Sequence, residues 1–225
     1  MRVLVLSHRS IANELGHLEP WLDEIASTGL VRAYREDGPV PTAASNADLL
    51  VILGSPGSVA AGHCSPAAQS EIELVRTWVA ADRPYLGICF GAQVLACALG
   101  GSVRRLPTTY RDYAEFPLEP QAPDGLAGPW ALWHQDAITA PTGALRLARL
   151  PHADIAFRQG RSWGLQPHIE VTSASFSRML DAIEVPMDDA EPILERIRIA
   201  EASWDPPAER VARLLREFEA AALGG

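Results

Sequence analysis

The first hundred residues contain three short, uninterrupted apolar runs, at residues 3–6, 49–53 and 84–88. None of them shows the alternation of polar and apolar positions that marks a strand with one solvent-facing side. Such runs are typical of strands that are buried on both faces, as in a parallel sheet. We therefore predict three core strands.

Between these runs, apolar residues recur at the spacing of an α-helix. Residues 66–81 carry Ile72, Val75 and Val79 on one face, and residues 92–99 form a second helical stretch that a Gly-Gly pair ends. The order of strand, helix, strand and helix predicts an α/β fold of the doubly wound type. In such a fold a mostly parallel sheet is flanked by helices.

Residues 103–166 have a different character. They are rich in Pro and Gly, and their apolar segments are short. These segments predict mostly antiparallel strands or pieces at a sheet edge. The predicted pieces are residues 113–118, 130–133, 155–159 and 162–166.

Helical spacing returns near the end of the chain, where Ile193, Ile197, Leu214 and Phe218 mark apolar faces. We predict a C-terminal helical extension over about residues 186–223 that packs on the rest of the protein. No composition shift suggests a linker, so residues 1–225 are predicted to form a single domain.

The most specific chemical signal follows the third apolar run. The sequence Gly87-Ile88-Cys89-Phe90-Gly91 places a cysteine on the turn between a strand and a helix. The small residues let such a turn close, and the turn exposes the side chain above the sheet. The helix dipole favours the thiolate there, and the backbone N–H of Phe90 faces the place of a developing oxyanion. Cys89 is therefore predicted to be a nucleophile rather than a small buried apolar residue.

A cysteine nucleophile needs a base that a third group holds in place. Of the six histidines, His168 has an acidic partner in a tight frame, because Glu170 follows two residues later. On an extended segment this spacing puts both side chains on one face, where the carboxylate accepts from the imidazole N–H. Alone, the pair is a weak signal. Exposed loop positions are predicted for His8, His17, His63 and His152.

Composition excludes several other classes of protein. All 19 basic residues are Arg, so chemistry that requires a phosphate-loop Lys, a Schiff-base Lys or a Ser-Lys dyad is ruled out. The formal net charge of -9 disfavours nucleic acid as a partner. Three cysteines make no disulfide framework, and Cys64 and Cys97 are predicted to be inert. No apolar stretch is long enough for a signal peptide or a membrane span, so we predict a soluble cytoplasmic protein without membrane contact.

In combination, these motifs resemble class I glutamine amidotransferases. The family pattern is Gly-x-Cys-x-Gly-x-Gln, present at residues 87–93, followed much later by His-x-Glu, present at residues 168–170. Residues 54–57 resemble the family's glycine loop, and residues 133–136 resemble its His-x-Asp element. The similarity runs in order from about residue 4 to residue 176. It is greatest to stand-alone relatives of the glutaminase half of GMP synthetase and implies a flavodoxin-like sheet.

The resemblance implies a mechanism. Cys89 would attack the carbonyl carbon of a γ-glutamyl amide, His168 would act as the base, and Glu170 would orient His168. The backbone N–H groups of Gly54 and Phe90 would stabilise the oxyanion. Contacts with the substrate, glutamine or a γ-glutamyl small molecule, are implied at Gly57, Gln93, Trp133 and His134. Neither a metal nor an organic cofactor is implied.

Three functions stay open from the sequence. The chain could release ammonia for a separate synthase subunit, or it could be a γ-glutamyl peptidase or hydrolase that acts on a conjugate. Trp133 keeps the second alternative open, because it stands where the GMP synthetase branch has a Ser that helps to hold glutamine. A non-catalytic interaction module is disfavoured, since such a module has no need of Cys89, His168 and Glu170 together.

Overall fold

A computed structural model of the protein describes residues 1–8, 15–35, 40–182, 184–185 and 187–224. The strands in these ranges are β1 (Arg2–His8), β2 (Gly29–Arg35), β3 (Leu49–Ile52), β4 (Tyr85–Ile88), β5 (Ser102–Ala114), β6 (Trp130–Thr139), β7 (Leu145–Leu150), β8 (Ala153–Gln159) and β9 (Ser162–Leu165). The α-helices are α1 (Glu19–Ile25), α2 (Pro66–Ala80), α3 (Phe90–Ala98), α4 (Ser173–Ala182), α5 (Met187–Glu201) and α6 (Pro207–Phe218).

Seven of these strands form one sheet in the order β2-β1-β3-β4-β9-β8-β7. The five strands from β2 to β9 run parallel, and β8 and β7 continue the sheet in antiparallel pairs. The order 2-1-3-4 of the first four strands is that of flavodoxin-like doubly wound sheets. The predicted α/β fold class is confirmed. Strands β5 and β6 pair separately as an antiparallel ribbon.

Helices cover both faces of the sheet, which explains the continuous apolar runs. In β1, Val3 and Val5 face one core cluster, and Leu4 and Leu6 face another. The first cluster also contains apolar residues of α1 and α6, whereas the second contains those of α2 and α3. A strand between two such layers has no polar face, as the sequence pattern predicts.

One strand occupies a different place from the predicted one. Residues 162–166 were expected in an antiparallel or edge position, but β9 lies inside the sheet and runs parallel to β4. On its other side it forms a tight hairpin with β8 through Gly160, whose φ is +56°. The short hairpin favours an antiparallel interpretation from sequence, while the parallel pairing with β4 depends on a contact between distant parts of the chain. Strands β2 and β7 and helix α4 were not predicted.

The C-terminal helices pack on the body of the protein, as expected. Ile193 and Ile197 of α5 are buried in a cluster with Phe176 and Leu180 of α4, and Leu214 of α6 is buried against the sheet. The helical part begins at Ser173, earlier than the predicted start at residue 186, which itself lies outside the described residues. None of the helices in the described ranges has the length and apolar character that a membrane crossing requires.

Candidate active site

Three neighbouring strands of the sheet place the predicted chemical groups at one edge. Gly54 follows β3, Cys89 follows β4, and His168 follows β9. Because these strands are adjacent and parallel, their carboxyl ends lie side by side. In doubly wound sheets this edge is where ligands bind.

Cys89 occupies a strained turn between β4 and α3. Its φ of +51° and ψ of -102° lie where residues other than glycine are rarely found. The turn also needs glycine on both sides. A Cβ at Gly91 would lie 2.1 Å from the carbonyl oxygen of Ile52, and one at Gly87 would lie 2.5 Å from the carbonyl oxygen of Gly91. Sterics therefore account for the Gly-x-Cys-x-Gly frame.

Backbone and side-chain contacts hold the cysteine in this position. Its N–H donates to the carbonyl oxygen of Leu165 on β9 at 2.8 Å, and its carbonyl accepts from Gln93 at 3.1 Å. The Sγ atom lies 3.4 Å from the side-chain Nε2 of Gln166 and 3.8 Å from the carbonyl oxygen of Trp133. Cys89 is 6% exposed, so the thiol faces a cavity rather than open solvent.

His168 and Glu170 lie beside this thiol. The Nδ1 atom of His168 is 2.7 Å from Oε1 of Glu170, and the two residues are 6% and 3% exposed. The backbone N–H of His168 donates to the carbonyl oxygen of Ala131 at 2.8 Å, which fixes the segment against β6. Because Nδ1 is occupied by Glu170, Nε2 is the ring nitrogen that is left for proton transfer.

The charge state of His168 follows from these neighbours. Burial acts to lower the pKa of the imidazole, but the negative charges of Cys89 and Glu170 and their hydrogen bonds outweigh it. The pKa of His168 therefore lies well above its ordinary value. The raised pKa favours the protonated imidazolium form of His168, which is a proton donor.

The predicted oxyanion residues flank the thiol. A Cβ at Gly54 would lie 3.0 Å from Cε1 of His168 and 3.9 Å from Cβ of Cys89, so the Gly54 backbone approaches both residues closely. Phe90 is the first residue of α3 and is buried. Gly57 lies near the same place, since a Cβ there would be 3.9 Å from the Phe90 ring.

A cavity of about 230 Å³ opens above Cys89 and His168. One side is apolar and includes Trp133 of β6 and Phe176 and Met179 of α4. The rings of Trp133 and Phe176 meet edge to face, with centroids 5.8 Å apart. The polar lining comes mainly from Ser55, Ser58, Gln93, Arg105, Thr109 and Gln135.

The four residues with predicted substrate contacts, Gly57, Gln93, Trp133 and His134, all line this cavity. The side chain of Gln93 also has protein partners, since its Nε2 lies 3.3 Å from the carbonyl oxygen of Asp136 and 3.3 Å from Oε1 of Gln166. His134 is buried, and its Nε2 lies 3.2 Å from Nε2 of His152. Burial and the nearby His152 and His168 lower the pKa of His134 to about 3, so this ring is neutral.

Three histidines that were expected on exposed loops lie at or near the site, and one of them is His152, which is half-buried beside His134. His8 was expected on an exposed loop, but it is the last residue of β1 and only 4% exposed, with Nδ1 3.1 Å from the carbonyl oxygen of Gly54. Its position at the carboxyl end of a core strand was the available signal. His17 was also expected to be exposed, but it is half-buried and its backbone N–H donates to the carbonyl oxygen of Glu170 at 2.8 Å.

Asp136 belongs to the site through a structural contact. Its Oδ2 accepts from the Ser58 hydroxyl at 2.5 Å and from the Val59 N–H at 3.1 Å. The carboxylate thereby secures the segment that follows the glycine loop. Within the described part of the chain, no group of three or more His, Cys, Asp and Glu side chains is arranged to hold a metal ion.

Comparison with known proteins shows the family of this chain. Residues 21–180 match the family described as glutamine amidotransferase class-I, and this range contains Cys89, His168 and Glu170. The chain belongs to this family. The resemblance seen in the sequence is confirmed, and family membership identifies the chain as a cysteine-dependent amidohydrolase.

The curated relatives are longer proteins. The glutamine-hydrolyzing GMP synthase of Aeropyrum pernix is 36% identical over 141 residues, which are 57% of this chain and 25% of the relative. The enzyme of the same name from Thermus thermophilus is 41% identical over 97 residues, 39% of this chain and 19% of the relative. The chain therefore matches about a quarter or less of the length of these relatives.

A solved structure matches almost the whole chain. A glutamine amidotransferase from Thermotoga maritima superposes with a TM-score of 0.75 at 25% identity, covering 97% of each chain. A glutamine amido transferase from Methylobacillus flagellatus superposes with a TM-score of 0.70, covering 96% of this chain and 94% of that one. At 24% identity, the second match supports the fold alone.

Proposed function

We propose that this protein hydrolyses the side-chain amide of a γ-glutamyl compound through a thioester on Cys89. The observation that carries the proposal is the buried set of Cys89, His168 and Glu170, in which Cys89 and His168 line one cavity and Nδ1 of His168 lies 2.7 Å from the Glu170 carboxylate. A nucleophile, a base and an orienting group that lie close together make up a complete set for acyl transfer.

In the first half-reaction, the thiolate of Cys89 forms a bond to the amide carbon, and the carbonyl π electrons move to the oxygen. The backbone N–H groups of Gly54 and Phe90 donate to this oxyanion. When the C–N bond breaks, the imidazolium of His168 gives its proton to the departing nitrogen. Ammonia or an amine leaves, and a γ-glutamyl thioester remains. The raised pKa of His168 suits this step, because the ring stays protonated until the C–N bond breaks and the leaving nitrogen takes up the proton.

In the second half-reaction, neutral His168 accepts a proton from water as the water oxygen bonds to the thioester carbon. The tetrahedral intermediate then breaks its C–S bond and releases the carboxylic acid and the thiolate. Glu170 orients the imidazole in both steps and stabilises its positive charge. No step needs a redox partner or a metal.

Two substrates have separate support. Free glutamine is favoured by the family and by relatives named as glutamine-hydrolysing GMP synthases. With glutamine as substrate, we propose that the ammonia serves a synthase on a separate chain. A larger γ-glutamyl conjugate is favoured by the apolar side of the cavity, because Trp133, Phe176 and Met179 would suit an apolar group on the departing amine.

The decisive experiment measures glutamate and ammonia or amine release from glutamine and from several γ-glutamyl amides by the isolated protein. We expect release from at least one of them and its loss in Cys89→Ala, while Cys64→Ala, which changes a thiol that does not line the cavity, serves as the matched control. Release that is equal in Cys89→Ala and the unmodified protein would contradict the proposal. So would the absence of release from every compound of the series.

A further inference from the structure

His8 has a place beside the candidate oxyanion hole that the proposed mechanism does not use. It ends β1, the strand adjacent to β3, and so reaches the Gly54 segment from the neighbouring strand. Its Nδ1 lies 3.1 Å from the carbonyl oxygen of Gly54. Its Nε2 lies 3.0 Å and 3.2 Å from the two carboxylate oxygens of Glu71 on α2. His8 is 4% exposed and Glu71 is fully buried, so water does not compete for these contacts.

The partners determine which nitrogen of His8 carries a proton. A backbone carbonyl only accepts hydrogen bonds, so Nδ1 must be the donor to Gly54. Glu71 then pairs with Nε2, either as a carboxylate that accepts from an imidazolium or as an acid that donates to a neutral ring. In both cases Glu71 orients the ring and keeps the Nδ1–H directed at Gly54.

Gly54 needs such an external support. Its Cβ, if present, would lie 3.0 Å from Cε1 of His168, so a side chain here would crowd the predicted base. Glycine has more backbone freedom than any other residue, however, and an oxyanion donor works only when its direction is fixed beforehand. A hydrogen bond to the Gly54 carbonyl restrains the peptide groups of this segment. His8 also contacts Phe90, the other predicted oxyanion residue, with ring centroids 4.7 Å apart.

We infer that His8 and Glu71 form a positioning pair that holds the Gly54 segment and the Phe90 ring in place for the oxyanion. This inference rests on the proposed function. The pair touches neither substrate nor thiol, so it acts through Gly54. Its loss should lower stabilisation of the tetrahedral intermediate and leave the reactivity of Cys89 unchanged.

The experiment compares two substitutions of His8, to Asn and to Gln, whose side-chain amides replace different ring nitrogens. Asn places its NH₂ near the Nδ1 position and can still donate to Gly54, whereas Gln reaches the Nε2 position and cannot. Both changes are made together with Glu71→Gln, so that no buried carboxylate loses its partner. His63→Gln, at an exposed loop position, is the matched control. Melting temperatures identify variants that fail to fold.

Three measurements separate positioning from general damage. They are kcat and KM for the best γ-glutamyl amide, the affinity for a γ-glutamyl aldehyde that forms a tetrahedral adduct with the thiol, and the alkylation rate of Cys89. We expect His8→Gln with Glu71→Gln to lower kcat and aldehyde affinity by about 10- to 100-fold, as for other supporting residues of active sites. KM and the alkylation rate should change little, and His8→Asn with Glu71→Gln should recover most of the loss.

The inference is overturned if the His8→Asn and His8→Gln variants have the same activity, or if kcat stays at the control level. It is also overturned if aldehyde affinity and alkylation rate fall together. Failure of the proposed function gives a different result, because the unmodified protein then turns over no γ-glutamyl amide. In that case aldehyde affinity alone decides the role of His8. An aldehyde that does not bind the unmodified protein overturns both ideas.

Discussion

The two ends of the cavity are built in different ways. At the inner end, Gly54, Cys89 and His168 follow three adjacent strands, and backbone hydrogen bonds hold Cys89 to β9 and His168 to β6. At the outer end, Trp133 belongs to the separate ribbon and Phe176 to helix α4, so this wall consists of side chains from elements beside the main sheet.

This difference suggests that separate parts of the cavity determine the type of reaction and the choice of substrate. The inner groups follow strands of the main sheet and are held by backbone hydrogen bonds to β9 and β6, which a displacement there would break. The side chains of the outer wall lie outside the main sheet, so substitutions there leave its strand pairing in place. We therefore expect the inner end to determine the thiol chemistry and the outer end to determine which γ-glutamyl compound is used.

The largest effect should come from removing the thiol. Cys89→Ala should lower turnover by at least about 1,000-fold, because the proposed reaction has no other nucleophile. Alkylation at neutral pH should label Cys89 first. Burial raises the pKa of Cys64, and burial with nearby negative charge raises that of Cys97 to about 11, so both are poor thiolates. Peptide mapping with mass spectrometry checks this order, and first labelling of Cys64 would refute it.

A smaller loss should follow from changing the orienting carboxylate. Glu170→Gln keeps a hydrogen-bond acceptor near Nδ1 of His168 but removes the charge that helps to raise the pKa of the ring. We expect kcat to fall by about 10²–10⁴-fold, less than in Cys89→Ala. Glu73→Gln on the exposed side of α2 is the control. Full activity of Glu170→Gln in steady-state assays would remove Glu170 from the proposed mechanism.

Much of the inner end could be predicted from the sequence because its constraints are local. Gly87 and Gly91 are required by contacts within a few residues of the turn and with β3, and a two-residue spacing suffices to pair His168 with Glu170. The strands β1, β3 and β4 were predictable for a similar reason. Burial on both faces leaves a continuous apolar run along the chain.

The remaining features depend on contacts between distant residues. His8 pairs with Glu71, 63 residues later, and no local pattern shows that β1 and α2 meet there. His134 of β6 contacts His152, which lies 18 residues later in the turn between β7 and β8. The outer wall needs α4 to fold over the ribbon so that Phe176 reaches Trp133, and apolar spacing predicts burial without naming the partner.

A still smaller effect tests the outer wall. Trp133→Ser removes a large ring from the cavity and places a hydroxyl near the thiol. If the ring restricts the space for the α-amino and α-carboxylate groups of glutamine, turnover of glutamine relative to a γ-glutamyl conjugate should rise about tenfold. Changes in pocket contacts typically alter discrimination between substrates by about this factor. Trp204→Ser makes the same chemical change at a site that is 95% exposed and outside the cavity. An unchanged ratio of kcat/KM values would show that Trp133 does not select the substrate.

The smallest expected effect is on the pH dependence of stability, and it concerns His134, whose charge state differs from that of His168 in the same cavity. The pKa of His134 is lowered to about 3 by burial and by His152 and His168, whereas that of His168 is raised. In the unfolded chain His134 titrates near about 6.5, so between that pH and about 3 the unfolded state binds a proton that the native state does not. The contribution of His134 to the free energy of unfolding is therefore full above pH 6.5 and is lost as the pH falls toward 3. His134→Gln should reduce the drop in melting temperature between pH 7 and pH 4, by an amount equivalent to a few kcal/mol at most.

His63→Gln, whose ring is exposed, should keep the slope of the unmodified protein. Melting curves across this pH range decide the matter, because equal slopes in His134→Gln and the control would mean that His134 is not held neutral.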